Sequence, residues 1–130
     1  MKRSERAVEL KHSGCNCCQA VLMAFAEDLE TENATLMKIG AAFGGGMGCM
    51  EATCGALCGA QMLLGLAAYE GKPMGRDARG LLEAFRARAG AVKCADLKGV
   101  ETGVVLCGCD DCVRYAAELV EEKGLFPERA

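Results

Sequence analysis

MEATCGALCGAQMLLGLAAY, residues 50 to 69, is the most apolar segment of this 130-residue chain. Read as a helix, it presents apolar or small side chains on nearly all sides, which predicts a buried helix at the centre of the fold. Gly71 and Pro73 follow and end the segment. Thr53, Gln61 and several glycines interrupt it, so it falls short of the roughly 20 apolar residues that span a bilayer. The segment therefore predicts the core of a globular protein and no membrane insertion.

Helical periodicity extends to both sides of this segment. Apolar residues recur there at intervals of three and four, as on one face of a helix. Ser4 is a candidate N-cap for the first helix and Thr31 for the third. The predicted helices are Ser4–His12, Cys15–Leu29, Thr31–Phe43, Met50–Tyr69, Arg76–Ala89, a short turn at Ala95–Lys98, and one from Asp110 or Asp111 to Gly124. No strand pattern emerges, so the sequence predicts a compact all-α bundle of about five or six helices, forming one domain over residues 1–130.

Composition excludes several classes of protein. The net charge of −3 includes no basic stripe of the kind that binds nucleic acid. The charged N-terminus is not followed by the apolar run of a signal peptide, which predicts a cytoplasmic protein. In a reducing cytosol, clustered cysteines indicate metal binding or redox chemistry rather than disulfides. Small size and the apolar fourth helix favour a homodimer.

Ten cysteines form the main chemical signal of the sequence. They lie in four places: Cys15, Cys17 and Cys18; Cys49, Cys54 and Cys58; Cys94 alone; and Cys107, Cys109 and Cys112. Thiolates are soft ligands that select zinc, copper(I) and iron–sulfur clusters. Four of them complete a tetrahedral zinc site or the coordination of one cluster. The chain therefore holds enough thiols for one such site, with six remaining.

The spacing of the cysteines along the chain restricts which kind of metal site they can form. Cys54 and Cys58 are four residues apart on a predicted helix and share a face, whereas Cys17 begins a helix. Cys109 and Cys112 have the spacing of a zinc knuckle but remote partners, and the ferredoxin run and the covalent haem motif are missing. These features predict a site assembled from helix starts and a mid-helix residue.

Other interpretations of the cysteines stay open at this point. A free cysteine often behaves as a small buried hydrophobe, although nine in three tight sets are hard to explain that way. A thiol redox pair at Cys109 and Cys112 would gain from a helix N-terminus, but Asp110 and Asp111 would oppose thiolate formation. The run Gly44–Gly48 suits a loop whose backbone approaches a neighbour closely, and its amides could donate to cluster sulfur.

Several segments together resemble a known family. Cys54-Gly55-Ala56-Leu57-Cys58-Gly59 matches a C-G-A-x-x-G motif, Phe43–Gly48 lies upstream, and Asn16–Val21 resembles an N-C-A-Q-A-V segment. The pattern is similar to that of the C_GCAxxG_C_C family of redox-active proteins over nearly the whole chain. A related domain occurs in split-Soret cytochromes, which are helical and carry a 2Fe–2S cluster.

The resemblance implies an all-α fold and four ligands to an iron–sulfur cluster. By their flanking residues these are Cys17, Cys54, Cys94 and Cys109. Gly45, Gly46 and Gly55 are the candidate cofactor-binding glycines beside such a group. Cys18 and Cys58 depart from the family pattern, where small residues are usual. The six additional cysteines are Cys15, Cys18, Cys49, Cys58, Cys107 and Cys112. They suggest a second centre or a cluster larger than 2Fe–2S.

The leading hypothesis is a protein that binds an iron–sulfur cluster through these four cysteines. It would act in electron transfer or redox sensing with a partner protein, as an electron carrier more than as a stand-alone enzyme. The first alternative is a thiol–disulfide oxidoreductase or sulfur carrier using Cys109 or Cys112. The second is a zinc-binding module without redox turnover.

Overall fold

The structure is a computed structural model that describes residues 1–129. Seven α-helices lie within this range, and their bounds are α1 Arg3–His12, α2 Cys17–Ala24, α3 Asn33–Gly40, α4 Gly55–Ala68, α5 Gly75–Ala89, α6 Cys94–Lys98 and α7 Cys109–Glu122. A 3₁₀ turn follows α2 at Ala26–Asp28, and a turn with left-handed backbone precedes α4 at Gly46–Met50. Apart from one isolated bridge, no β-structure occurs in residues 1–129. The prediction of an all-α fold is confirmed.

Helix α2 lies among four other helices, because it contacts α1, α3, α4 and α7. Its side chains Val21 and Leu22 are fully buried, as is Phe25 at its C-cap. Helix α7 completes the core through Val113 and packs against α1, α4 and α5. Burial of each such side chain contributes about 1.5–3 kcal/mol to the stability of the fold.

Helix α4 differs from its prediction in two respects. It begins at Gly55 instead of Met50, because the preceding residues run extended and pair with the chain before α6. Its first half is buried, but near its C-terminus Leu66 is 47% exposed and the capping Tyr69 is 64% exposed. Complete burial of this helix at the centre of the bundle is therefore not confirmed.

The other helix ends depart from prediction by a few residues. Lys2, not Ser4, is the N-cap of α1, and Ser4 is buried inside the helix. Glu32, not Thr31, caps α3. Helix α2 ends at Ala24, where the chain tightens into the 3₁₀ turn. None of the helices within residues 1–129 combines the length and the apolar character of a membrane span.

One buried cation joins the first and last helices. The side chain of Arg3 is 3% exposed and donates to Asp28 at 2.5 Å and to Glu121 at 2.6 Å. Its guanidinium also lies 4.7 Å from the ring centre of Phe25. Burial alone would lower the pKa of Arg3, but the hydrogen bonds to Glu121 and Asp28 outweigh it, and the pKa is raised. This ion cluster fixes α1, α7 and the 3₁₀ turn to one another.

Candidate metal centre

Four cysteines mark the starts of four different helices. Cys17, Cys94 and Cys109 are the first residues of α2, α6 and α7, and Cys54 is the N-cap of α4. The prediction that Cys54 lies within a helix is wrong, because α4 starts one residue after it. Unpaired N–H groups and the helix dipole make a helix N-terminus favourable for negative charge, including a thiolate. The same local environment therefore recurs at all four positions.

The start of α2 is held by a capping box. The Asn16 side chain accepts from the Gln19 backbone N–H at 2.8 Å, and Gln19 Oε1 accepts from the Asn16 N–H at 3.0 Å. Asn16 Nδ2 also donates to the carbonyl oxygen of Gly40 at 3.0 Å, which ties α2 to the end of α3. These bonds fix the position of Cys17, the residue between them.

A short backbone pairing holds the second and third cysteines side by side. The Cys54 N–H donates to the Val92 carbonyl at 2.8 Å, and the Cys94 N–H donates to the Ala52 carbonyl at 2.9 Å. The segment after α6 is attached in the same manner, since the Cys107 N–H donates to the Leu97 carbonyl at 3.1 Å. Three chain segments that are distant in sequence thus meet beside α4.

The glycines singled out in the sequence have different surroundings. Gly46 has a positive φ of 58°, and a Cβ on it would lie 2.6 Å from the Cβ of Cys94. A Cβ on Gly55 would lie 2.8 Å from the Phe43 carbonyl oxygen, so this glycine permits close packing of α4. Gly45 also has a positive φ, but no atom lies within 4 Å of its Cβ position. Of the three, Gly46 is the one that directly abuts a predicted ligand.

The thiols of these helix starts influence one another. The pKa of Cys17 is raised to about 12, mainly by burial and then by the neighbouring charges of Cys109 and Cys54. The pKa of Cys94 is raised, again by burial first and then by Cys54. Only nearby groups produce such shifts. Together with the backbone pairing beside Cys54 and Cys94, these mutual effects indicate that the four predicted ligands lie in one region of the fold.

Cys112 is the thiol that most affects Cys54. The Cys112 side chain is the largest cause of the raised pKa of Cys54, and burial is the second. Backbone N–H groups of Leu57 and Ala56 act in the opposite direction, as expected at a helix N-terminus. Cys112 is fully buried, whereas Cys109 is exposed. The predicted fourth ligand, Cys109, and the nearby Cys112 thus differ sharply in solvent access.

Lys98 is the residue of this neighbourhood that sequence reasoning missed. Its Nζ donates to the Sγ of Cys112 at 3.2 Å and to the carbonyl oxygen of Cys107 at 3.0 Å. Burial alone would lower the pKa of Lys98, but the charge and hydrogen bond of Cys112 raise it, with further contributions from Cys109 and Cys54. In the sequence, Lys98 is distinguished only by lying four residues after Cys94, at the end of the five-residue helix α6. A positive charge therefore lies among the thiols.

The six additional cysteines occupy several places. Cys107 and Cys112 adjoin Lys98, whereas Cys18 and Cys58 lie between α2 and α4. The remaining two have separate contacts: Cys15 Sγ lies 4.0 Å from the sulfur of Met37, and the exposed Cys49 thiol lies 3.7 Å from the Gly46 carbonyl oxygen. Within residues 1–129, no three His, Cys, Asp or Glu side chains are close enough together to hold a metal ion. All ten cysteines are free thiols.

The donor set nevertheless suits a thiophilic metal group. Its four sulfurs come from four separate elements, each at a helix N-terminus that favours a thiolate. Lys98 supplies a positive charge that compensates the negative charge of the thiolates. Because Gly46 has no side chain, its backbone can lie directly against Cys94. Thiolates in this number are what zinc and iron–sulfur clusters require.

Comparison with known proteins agrees with this organisation. No curated protein and no solved structure matches the chain. One family model does match, over residues 15–123, and its description is "Putative redox-active protein (C_GCAxxG_C_C)". The matched range includes all ten cysteines and six of the seven helices in full. The chain therefore belongs to the C_GCAxxG_C_C family of redox-active proteins.

Proposed function

We propose that this protein binds an iron–sulfur cluster through Cys17, Cys54, Cys94 and Cys109 and acts in electron transfer or redox sensing. The observation that carries the proposal is the placement of these four thiols at four helix starts in one neighbourhood. Membership of a redox-active family supports it. When bound, an iron–sulfur cluster accepts and releases one electron.

The chain contributes three properties to such a site. Helix N-termini and backbone amides stabilise the thiolates that must form when the thiols lose their protons. Burial of Cys17, Cys54 and Cys94 limits water access on the inner side. The exposed Cys109 leaves one edge open to solvent, where a redox partner protein could approach.

Anaerobic purification tests the proposal directly. We expect a brown protein with visible absorption, with iron and acid-labile sulfide in equal amounts. Cys17→Ser, Cys54→Ser and Cys94→Ser should each lose most of the iron, because a hydroxyl is a poor replacement for a soft ligand. Cys49→Ser is the matched control, since its thiol is exposed, and it should retain the iron.

Other outcomes would change the assignment. A colourless protein with bound zinc would show that the thiols hold zinc instead of an iron–sulfur cluster. Retention of iron by Cys109→Ser together with its loss in Cys112→Ser would move the fourth ligand to Cys112. An iron content fixed at the 2Fe–2S ratio would exclude an additional or larger iron–sulfur centre among the extra cysteines.

Lys98→Met is expected to lower the reduction potential of the centre. The ammonium group favours the more negative, reduced state of whatever the thiolates hold, and methionine removes that charge at similar length. We expect a negative shift on the order of 50 mV, which corresponds to about 1 kcal/mol for one electron. Potentiometric titration of wild type and variant measures the shift.

Lys93→Met provides the control for this prediction. Lys93 precedes α6 and is exposed, and it does not contribute to the pKa shift of Cys94 as Lys98 does. Its replacement should leave the potential within about 10 mV, because exposed charges are screened. Equal shifts in both variants would assign the effect to net charge instead of to the position of Lys98.

Thiol chemistry is the second candidate function, and one observation favours it. Cys112 is the largest cause of the raised pKa of Cys54, and the Lys98 ammonium lies 3.2 Å from the Cys112 sulfur. Oxidation of this pair to a disulfide would release two electrons and two protons to an acceptor disulfide. A colourless, metal-free protein whose Cys54–Cys112 disulfide can be reduced and reformed would support this function over the first.

A further inference from the structure

A second group of sulfur atoms lies between α2 and α4, apart from the four helix-start cysteines. The Sγ of Cys18 lies 3.8 Å from the Sδ of Met62. Cys58 and Met62 are four residues apart on α4, so their side chains are neighbours on one face. Cys18 is fully buried, and the Cys58 thiol lies 3.9 Å from the Thr53 carbonyl oxygen. A thiol of α2 and a thioether of α4 therefore meet across the helix interface, with a second thiol one helical turn before the thioether on α4.

The two helices approach closely enough for this because of Gly59. A Cβ on this glycine would lie 2.9 Å from the carbonyl oxygen of Cys18 and 3.1 Å from the Cβ of Val21. Without a side chain there, the α4 backbone lies directly against α2. Met62, three residues after Gly59 on α4, then reaches the Cys18 side chain, and Cys58 lies one turn before Met62 on the same helix. The sulfur group is thus held by the tightest part of the helix interface.

The sulfur group is accessible from one side. Cys58 and Met62 are partly exposed, and Met62 lines an open apolar groove of about 570 Å³ with Leu22, Leu36 and Leu66. An ion could reach the thioether through this groove and meet the buried thiol behind it. Apart from the hydroxyl of Tyr69, the side chains that line the groove carry no oxygen donors, which disfavours hard cations such as magnesium and calcium.

We propose that Cys18, Cys58 and Met62 form a binding site for a soft monovalent cation, copper(I). Thiolate and thioether sulfurs are the ligands that select copper(I) over harder metals. The two sulfurs at 3.8 Å can contact one ion without moving the helices apart. Each coordinating thiol loses its proton, so two protons leave for each ion bound. This site is independent of the proposed iron–sulfur function, because it shares none of the four ligands.

Methyl-labelled methionine NMR can observe this site separately from the other thiols. The full chain would carry ¹³C-methyl methionine and would be titrated with silver(I), a closed-shell analogue of copper(I), under anaerobic conditions. We expect the first equivalent to shift the Met62 methyl resonance. The Met37 resonance serves as the matched control, because Met37 also contacts a thiol, that of Cys15 at 4.0 Å. A first equivalent that leaves Met62 unchanged, or that shifts Met37 equally, would overturn the proposal.

Affinity measurements provide a second test of the proposed copper(I) site. In competition with a copper(I) chelator, Met62→Leu should bind the first copper(I) at least about tenfold more weakly, because even indirect changes to a metal site cost about 10–100-fold. Leucine preserves the volume of methionine, so the fold should be retained. Met37→Leu should not change the affinity. Equal affinities for wild type and Met62→Leu would contradict coordination by the thioether, whether or not the protein also holds iron.

Discussion

Replacing Arg3 by methionine is expected to lower the free energy of unfolding by about 3 kcal/mol. Removing one partner of a buried ion pair leaves the other charge uncompensated, which costs about 3–5 kcal/mol. The lower end applies because Asp28 keeps a second partner, Arg129, at 2.6 Å. Glu121, which is 25% exposed, can recover some hydration. Urea unfolding monitored by circular dichroism measures the loss.

Arg6→Met is the control for this prediction. Arg6 lies on the same helix and pairs with Glu9, but about half of each side chain is exposed. Exposed pairs contribute about 0–1 kcal/mol, so this variant should unfold almost like wild type. Equal losses in both variants would mean that burial of Arg3 does not determine its contribution.

The same cluster determines how the protein responds to acid. The hydrogen bond from Arg3 is the main reason that the pKa of Asp28 lies below its ordinary value of 3.8. A lowered folded-state pKa stabilises the fold above the unfolded pKa, and that stability is lost as the pH falls through the folded pKa. Wild type should therefore lose stability below about pH 4. The Arg3→Met variant should lose less over the same range.

Gly46→Ala is expected to have the second large effect, and it acts on the cysteine centre. The new Cβ would lie 2.6 Å from the Cβ of Cys94 and 3.1 Å from the Ala52 carbonyl oxygen. The left-handed backbone adds about 1–2 kcal/mol of strain, and overpacking adds about 1–3 kcal/mol. We expect a loss of about 2–5 kcal/mol in stability and a lower iron content after anaerobic purification.

Gly45→Ala separates these two contributions. Its φ of 61° matches that of Gly46, but no atom lies within 4 Å of the new Cβ. This variant should lose about 1–2 kcal/mol through backbone strain alone and should keep its iron. If both variants retained iron equally, contact between Gly46 and Cys94 would have no role in the centre.

Sequence periodicity was sufficient to predict the class of fold and most helices. The amphipathic pattern of residues 76–89 predicted α5 to within one residue, because its buried Leu81 and Phe85 face one direction and its arginines the other. The short turn at Ala95–Lys98 was also found. The start of α4 was not, because the apolar pattern continues back to Met50, whereas Met50 ends a left-handed turn and Cys54 pairs with Val92, far away in sequence. Backbone pairing between segments that are distant along the chain leaves no periodic pattern in the local sequence.

The roles of individual polar residues were harder to predict. Arg3 looked like one of several charges at the N-terminus, and only the fold shows that it is buried between two acids. Lys98 likewise gained its position among the thiols from the packing of α6 beside Cys107. The cysteines could be found from sequence because their number and grouping are unusual, whereas a single arginine or lysine carries no such signal.

The placement of the four cysteines at separate helix starts has a consequence for the order of assembly. Cys17 and Cys109 are 92 residues apart, so their thiols approach only after α2 and α7 have docked. A knuckle with two cysteines in one turn can capture a metal ion before the chain folds, but this arrangement cannot. Any group that all four thiols hold must therefore enter late, into a chain that has already folded. Its uptake would report that folding is complete, and slow folding would delay it.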